Sequence, residues 1–264
     1  HPAHYFVLLL SLFGLSKKVI WICNEVHSAL SEGATTKRKI MRKIEKFLLG
    51  RVDLIIANSY NTKKQISSFF GLNSDVIHPG VICRKVRPLR FKYQLPRSFL
   101  FCISRLEDHK NLAFLEEILK ECSSVLVLAG DGTRRDYVEA LARKYPRLLY
   151  VGSVSEEEKA ALFTMAFLTV FLPRNEPFGV TIIESIFYGT PVIAFDNGGP
   201  REIILNGKNG ILCDSELSYI EALNTFDAKN LENDPVFYEN YITKNFSETI
   251  MLDKIYESIE TISN

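Results

Sequence analysis

Short apolar runs that alternate with helical patterns constrain the fold of this chain more than any other feature of its sequence. The run Val125–Ala129 is apolar at every position, as is typical of a strand buried on both faces of a parallel sheet. This strict alternation predicts a doubly wound α/β fold. The strands are predicted at Val19–Cys23, Asp53–Ala57, Ser98–Ser104, Val125–Gly130, Leu148–Gly152, Leu168–Leu172 and Pro191–Phe195. The helices are predicted at Thr36–Leu49, Asn61–Phe70, Asn111–Lys120, Arg134–Lys144, Glu156–Ala166 and Thr181–Tyr188.

The charges of the chain are nearly balanced and its cysteines are scattered. Lys and Arg number 32 and Asp and Glu 31, so the formal net charge is +1, which argues against attraction to nucleic acid. None of the five cysteines is spaced as CxxC, which favours reduced thiols in a cytosolic protein over metal ligands or disulfides. We therefore expect a cytoplasmic protein that holds no metal and has no nucleic-acid partner.

A linker divides the chain. Residues 82–97 are rich in proline and basic residues and interrupt the alternation of strands and helices. The sequence therefore predicts residues 1–85 as part of one Rossmann-like domain and residues 86–264 as a second. The apolar run Tyr5–Leu15 is shorter than the roughly 20 residues that span a bilayer, and it lacks the flanks of a signal peptide. Because residues 1–85 hold few strands, we expect the chain to be truncated at its N-terminus.

Two carboxylates flank a predicted strand-to-helix turn. Glu176 lies in the loop after the strand, and Glu184 lies within the first turns of the helix. Ligands of open α/β sheets bind at the carboxyl ends of the strands, and a helix N-terminus would present the N–H groups of Gly179, Val180 and Thr181 to a phosphate. The carboxylates would then accept hydrogen bonds from hydroxyl groups of the same ligand. Alternatively, Glu184 is only an acid that is favourable near a helix N-terminus, and the spacing leaves both readings open.

Two cations follow another predicted strand. Arg105 ends that strand and Lys110 precedes the next helix, so both would lie at the sheet edge where a diphosphate could bind. A solvated pair of loop cations is the alternative. Glycine pairs at Gly130-Asp-Gly132 and Gly198-Gly199 follow further strands, but the G-x-G-x-x-G fingerprint is absent, which argues against a dinucleotide-dependent oxidoreductase.

Together these segments resemble one enzyme family. In the right order, the chain matches the recurrent pattern of the family-four retaining glycosyltransferases, which have the GT-B architecture. The resemblance implies an α/β fold of two Rossmann-like, doubly wound parallel-sheet domains that face a cleft, the N-terminal domain being incomplete. The matching segments are Ile103–Asn111, Leu128–Gly132, Tyr150–Val154, Glu176–Glu184, Gly189–Ala194 and Gly198–Glu202.

The resemblance also implies residue roles. Arg105 and Lys110 would hold the diphosphate of a nucleotide sugar, Glu184 the ribose hydroxyls, and Glu176 the hydroxyls of the transferred sugar. Relatives carry a histidine that faces the cleft near the end of the segment Ile20–His27, where either Glu25 or His27 could take that place. The other donor-binding positions would be Phe178, Gly179, Val180, Val154 and Gly130.

The implied reaction is transfer of a sugar from a nucleoside-diphosphate sugar to an acceptor hydroxyl with retained configuration. The acceptor would be a glycan, a lipid-linked sugar or a small molecule, as in the synthesis of polysaccharides or glycoconjugates. The cations and the helix amides would stabilise the departing diphosphate, and no metal or cofactor is expected. A non-catalytic nucleotide-sugar-binding fragment and a nucleotide-sugar epimerase stay as alternatives. Because the family's acceptor site lies in the N-terminal domain, we expect this chain alone to transfer poorly.

The helix predicted at 36–49 is amphipathic and basic. It could rest on an anionic membrane surface, or it could pack its apolar stripe on the sheet. Its cations are Lys37, Arg38, Lys39, Arg42, Lys43 and Lys46, and its stripe consists of Ile40, Met41, Ile44, Phe47 and Leu48.

Overall fold

The computed structural model describes residues 18–26, 36–82, 91, 94–232 and 234–263. The chain divides into two compact units, unit 1 with residues 1–80 and 248–264, and unit 2 with residues 81–247. The division after Gly80 lies five residues before the predicted one after residue 85, and the final helix falls in unit 1, whereas the sequence placed it in the second domain. That helix is tied to unit 1 where the Gly80 N–H donates to the Met251 sulfur at 3.1 Å.

Unit 1 contains β1 (Ile20–Cys23), α1 (Thr36–Leu49), β2 (Leu54–Ala57), α2 (Tyr60–Phe70) and β3 (Asp75–Val76). Its strands form a small parallel sheet in the order β1-β2-β3. Ser59 begins α2 because its hydroxyl accepts a hydrogen bond from the Thr62 N–H, and Gly71 ends α2 in a left-handed conformation with φ 64°. Side chains of α1 and α2, such as Leu48 and Ile66, are buried against the sheet.

The strands of unit 2 are β4 (Leu100–Ile103), β5 (Leu126–Ala129), β6 (Leu148–Gly152), β7 (Leu168–Phe171), β8 (Val192–Phe195) and β9 (Gly210–Cys213). They form a parallel sheet in the order β6-β5-β4-β7-β8-β9, so the chain adds strands in both directions from the adjacent pair β4 and β7. This doubly wound parallel sheet confirms the predicted α/β class. The helices are α3 (Leu112–Glu121), α4 (Arg135–Lys144), α5 (Glu156–Met165), α6 (Val180–Phe187), α7 (Pro200–Ile203), α8 (Glu216–Thr225) and α9 (Pro235–Phe246). The last helix, α10 (Glu248–Ser263), belongs to unit 1.

The continuous apolar runs are explained by burial on both faces of this sheet. Alternate residues of β5 contribute to two separate cores, Leu126 and Leu128 to one and Val127 and Ala129 to the other. The first core contains side chains of α3, α4 and α8, and the opposite face is covered by α5, α6 and α9. Burial of each Leu or Val side chain contributes about 1.5–3 kcal/mol to the free energy of folding. The buried layers on both faces therefore make the sheet a rigid base for the loops at its carboxyl edge.

Most predicted strands and helices agree with the structure to within two residues at each end. The sequence prediction missed β9 and the helices that follow it. Cys23, Cys102, Cys122 and Cys213 are free and buried, and burial raises the pKa of the Cys102 thiol to about 12. No helix among the described residues is both long and apolar enough to cross a membrane.

Candidate functional site

The cation and the carboxylate that lay far apart in the sequence meet at the centre of the sheet edge. Lys110 ends a short 3-10 helix after β4, and Glu176 lies in the loop after β7. The Lys110 Nζ lies 2.8 Å from Oε2 and 3.1 Å from Oε1 of Glu176. Their side chains are only 12% and 19% exposed. Because β4 and β7 are the strands at which the sheet order reverses, this ion pair lies where open α/β sheets bind ligands.

Two asparagines with positive φ fix the loops that carry this ion pair. Asn111, at φ 56°, donates from its side chain to the Leu172 carbonyl at 3.1 Å, which ties the loop after β4 to the end of β7. Asn175, at φ 54°, donates its N–H to the Asn197 side chain at 2.9 Å, which ties the loop after β7 to the loop after β8. Left-handed conformations outside glycine are uncommon and are tolerated best by Asn. The two loops are therefore held in one fixed arrangement.

The glycine pair after β8 supports the loop of Glu176. The Gly199 N–H donates to the Glu176 carbonyl at 2.8 Å. A Cβ at Gly199 would lie 2.1 Å from the Phe178 oxygen, and a Cβ at Gly198 would lie 2.5 Å from the Glu176 oxygen. Only glycine permits this close approach of two backbones, so the pair sets the position of the Glu176 carboxylate.

The second carboxylate, Glu184 on α6, is paired with a residue that the sequence analysis missed. Lys159 on α5 donates to Glu184 Oε1 at 2.7 Å, and both side chains are 15% exposed. Burial raises the pKa of the Glu184 carboxyl above its ordinary value, and the hydrogen bond and charge of Lys159 offset part of that rise. The only sequence signal for Lys159 was its spacing of three residues from Glu156, with which it also pairs at 2.7 Å.

The N-terminus of α6 lies between these two carboxylates in the sequence. Gly179 is its N-cap residue at φ 113°, and no side chain of a described residue caps the helix. Uncapped N–H groups and the helix dipole together favour an anion at this end. Val180 is 43% exposed, whereas the Phe178 side chain is buried against Phe246, so Phe178 presents its backbone rather than its ring at this turn.

The remaining predicted site residues have different surroundings. Arg105 is exposed on the loop after β4, where its charge acts on the Glu107 carboxylate. The Gly130 N–H donates to the Gly152 carbonyl at 2.9 Å, and a Cβ there would lie 1.8 Å from the Ser104 oxygen, so Gly130 serves the close approach of two loops. Val154 is half-buried just before α5. His27 lies outside the described residues, so its assignment, like that of Glu25, stays a prediction.

The arrangement suits a ligand that carries both anionic groups and hydroxyls. Lys110 and the N-terminus of α6 offer positive charge, and Glu176 and Glu184 offer hydrogen-bond acceptors on either side. Among the described residues, no three His, Cys, Asp or Glu side chains are grouped so that they could hold a metal ion. The expectation that no metal is needed stays a prediction.

The sequence of unit 2 matches a known family. A profile described as "Glycosyl transferases group 1" covers residues 87–244. A glycogen synthase of Mycobacterium tuberculosis is 28% identical over 201 residues, which are 71% of this chain and 47% of that protein. An alpha-1,3/1,6-mannosyltransferase of Homo sapiens is 24% identical over 246 residues, covering 80% of this chain and 59% of that protein. The chain thus spans about half the length of the curated relatives it matches.

Solved structures share the fold. Sucrose-phosphate synthase from Thermosynechococcus elongatus superposes with a TM-score of 0.78 at 20% identity, covering 92% of this chain and 68% of that one. HepE of Anabaena, solved in complex with UDP, gives a TM-score of 0.78 at 20% identity, covering 96% of this chain and 76% of that one. At this identity the likeness concerns the fold alone, and it confirms the expected GT-B type.

Proposed function

The chain belongs to the group 1 glycosyl transferases, and from that premise we propose that unit 2 binds a nucleoside-diphosphate sugar and that the protein transfers the sugar to an acceptor hydroxyl with retained configuration. The observation that carries the proposal is the ion pair of Lys110 and Glu176 at the strands where the sheet order reverses, followed in the sequence by the N-terminus of α6. A donor of this class has the anionic diphosphate and the hydroxyls that these groups suit.

The proposed donor replaces the contacts that the site makes within itself. Lys110 and the first N–H groups of α6 bind the diphosphate, and the exposed Arg105 adds a further positive charge. Glu176, released from Lys110, accepts hydrogen bonds from hydroxyls of the transferred sugar, and Glu184 accepts them from the ribose. The backbone near Val154 borders the base.

The demanding step is departure of the nucleoside diphosphate, because its negative charge grows as the bond to the sugar breaks. Fixed positive groups that already point at this charge stabilise the transition state without reorganisation. Lys110 is fixed in this sense, since its side chain is only 12% exposed and its loop is tied to β7 by Asn111. The acceptor oxygen forms the new bond to the sugar as the bond between the sugar and the diphosphate breaks, and the proton of the acceptor hydroxyl passes to an oxygen of the departing diphosphate.

Product analysis tests this proposal. With nucleotide sugars labelled in the sugar and a panel of glycan, lipid-linked and small-molecule acceptors, we expect slow release of free nucleoside diphosphate and slow formation of a glycosylated acceptor whose anomeric configuration matches that of the donor. Lys110→Ala and Glu176→Ala should each abolish turnover while the far-UV circular dichroism spectrum is unchanged. The matched control is Lys144→Ala, which removes another ion pair of unit 2, that with Glu116 at 2.7 Å. An epimerised sugar, or saturable binding without any product, would instead support one of the two alternatives.

A membrane contact of α1 is a second, separate proposal. Ile44 and Phe47 of its apolar stripe are 44% and 55% exposed, beside the exposed Lys43 and Lys46. An amphipathic helix that exposes apolar and basic side chains together favours an anionic lipid surface. Sedimentation with vesicles measures this: we expect binding to anionic vesicles that falls at high salt and in Phe47→Ser. Equal binding to neutral vesicles would refute it.

A further inference from the structure

Lys159 occupies a position between two carboxylates. Its Nζ lies 2.7 Å from Oε1 of Glu184 on α6 and 2.7 Å from Oε2 of Glu156 on its own helix, α5. The Lys159 side chain is 15% exposed, as is that of Glu184, whereas Glu156 is 83% exposed. The pair with Glu184 is therefore the sheltered one, and it links two helices at the proposed donor site.

Both helices are fixed independently of this ion pair. The N-terminus of α5 carries a capping box in which Ser155 and Glu158 satisfy each other's backbone N–H groups. Ser185, the neighbour of Glu184, is buried, and its hydroxyl lies within hydrogen-bond distance of the Thr169 hydroxyl, at 2.7 Å, and of the Thr190 carbonyl, at 2.9 Å. The backbones that carry Lys159 and Glu184 are thus positioned by contacts in which neither of these two side chains takes part.

The surroundings of Glu184 offer little other compensation for its charge. Burial raises the pKa of its carboxyl, Lys159 lowers it, and Glu156 raises it. The strands β7 and β8 below α6 carry no titratable side chain. On α9, which packs against α6, the hydroxyls of Tyr238 and Tyr241 donate to backbone carbonyls. On α7, Arg201 pairs with Asp196.

We propose that Lys159 is a positioning residue that keeps Glu184 charged and aimed at the donor ribose, an inference that rests on the proposed function. Lys159 engages Oε1 of Glu184, so the carboxylate is oriented before the donor arrives. A neutral Glu184 would be a poorer acceptor for two ribose hydroxyls, since hydrogen bonds to a charged acceptor are the stronger ones. Lys159 itself acts through Glu184 and need not touch the donor.

The first test needs no donor. Protein labelled with ¹³C at the glutamate carboxyls is titrated by NMR, and the Glu184 signal is identified by its loss in Glu184→Gln. In Lys159→Met we expect the acid dissociation constant of Glu184 to fall about tenfold or more, because a neighbouring positive charge has been removed. Lys159→Arg should restore it, and the control Lys144→Met should leave it unchanged. An unaltered Glu184 titration in Lys159→Met would overturn the proposal.

The second test measures affinity for UDP, GDP and ADP by calorimetry at pH 6 and pH 8. For the nucleotide that binds, we expect Lys159→Met to lose about tenfold in affinity at the lower pH and less at the higher pH, because a higher pH favours the ionised form of the Glu184 carboxyl. Lys159→Arg should stay within about threefold of the wild type. Equal affinities of wild type and Lys159→Met at both pH values would overturn the proposal. Wild-type protein that binds none of the three would refute the proposed function, while the NMR titration still decides whether Lys159 controls Glu184.

Discussion

Lys110→Met should lower the free energy of unfolding of the nucleotide-free protein. The additional substitution Glu176→Gln should restore much of that free energy. At 2.8 Å the two charges attract each other by about 6 kcal/mol if the effective dielectric constant is about 20, but desolvation cancels most of this. Loss of one partner costs about 3–5 kcal/mol for a fully buried pair and about 0–1 kcal/mol for an exposed one. With 12% and 19% exposure this pair lies between these limits, so we expect Lys110→Met to cost about 2 kcal/mol.

The assay is urea unfolding of a double-mutant cycle made of wild type, Lys110→Met, Glu176→Gln and the double variant. Far-UV circular dichroism follows both units, and fluorescence of Trp21, the single tryptophan, reports unit 1. We expect a coupling free energy of about 1–2 kcal/mol between the two substitutions. It should be seen in the transition followed by circular dichroism, because both residues lie in unit 2 whereas Trp21 reports unit 1. Additive effects of the single variants, with coupling below about 0.5 kcal/mol, would refute the assignment of this ion pair.

Three further outcomes follow from particular contacts. Gly199→Ala should cost more than about 3 kcal/mol in thermal unfolding because its Cβ would lie 2.1 Å from the Phe178 oxygen. The Cβ of Gly152→Ala would have no atom of another described residue within 4 Å, apart from the chain neighbours, so this variant should cost only the left-handed strain of about 1–2 kcal/mol. Tyr219→Phe should cost about 1 kcal/mol in urea unfolding, because this fully buried hydroxyl donates to backbone carbonyls of β7 and β8. Nucleotide affinity should fall on acidification below neutral pH, because the raised pKa of Glu184 lets its carboxylate take up a proton at higher pH than an ordinary glutamate. In Glu184→Gln the same calorimetric titration should show only the pH dependence of the nucleotide phosphate.

The fold of unit 2 was predictable because its signal is local. A strand such as Val125–Ala129 is apolar throughout, and the predicted strand contains the observed one. The strand β9 gave no such signal, since Gly210–Cys213 is short and begins with a glycine, and its place in the sheet comes from pairing with β8. Propensity alone cannot reveal a strand that tertiary pairing creates.

The site was predictable only as far as the sheet edge. Strand order brings Lys110 and Glu176 to one edge, and this followed from the alternation of strands and helices. The pairing of Lys159 with Glu184 depends on how α5 packs beside α6, which no spacing in the sequence encodes. The division after Gly80 differs from the predicted boundary for the same reason, because Gly80 contacts Met251 far along the chain.

The most direct test of the donor site is calorimetric titration of the wild type, Lys110→Met and the control Lys144→Met with UDP, GDP, ADP and their glucose or mannose conjugates. We predict saturable binding of at least one of these ligands at one site per chain. Lys110→Met should weaken that binding at least about tenfold, because a charge-assisted contact to the diphosphate is lost, while Lys144→Met binds as the wild type does. Binding that Lys110→Met leaves unchanged, or no saturable binding of any of these ligands, would contradict the account.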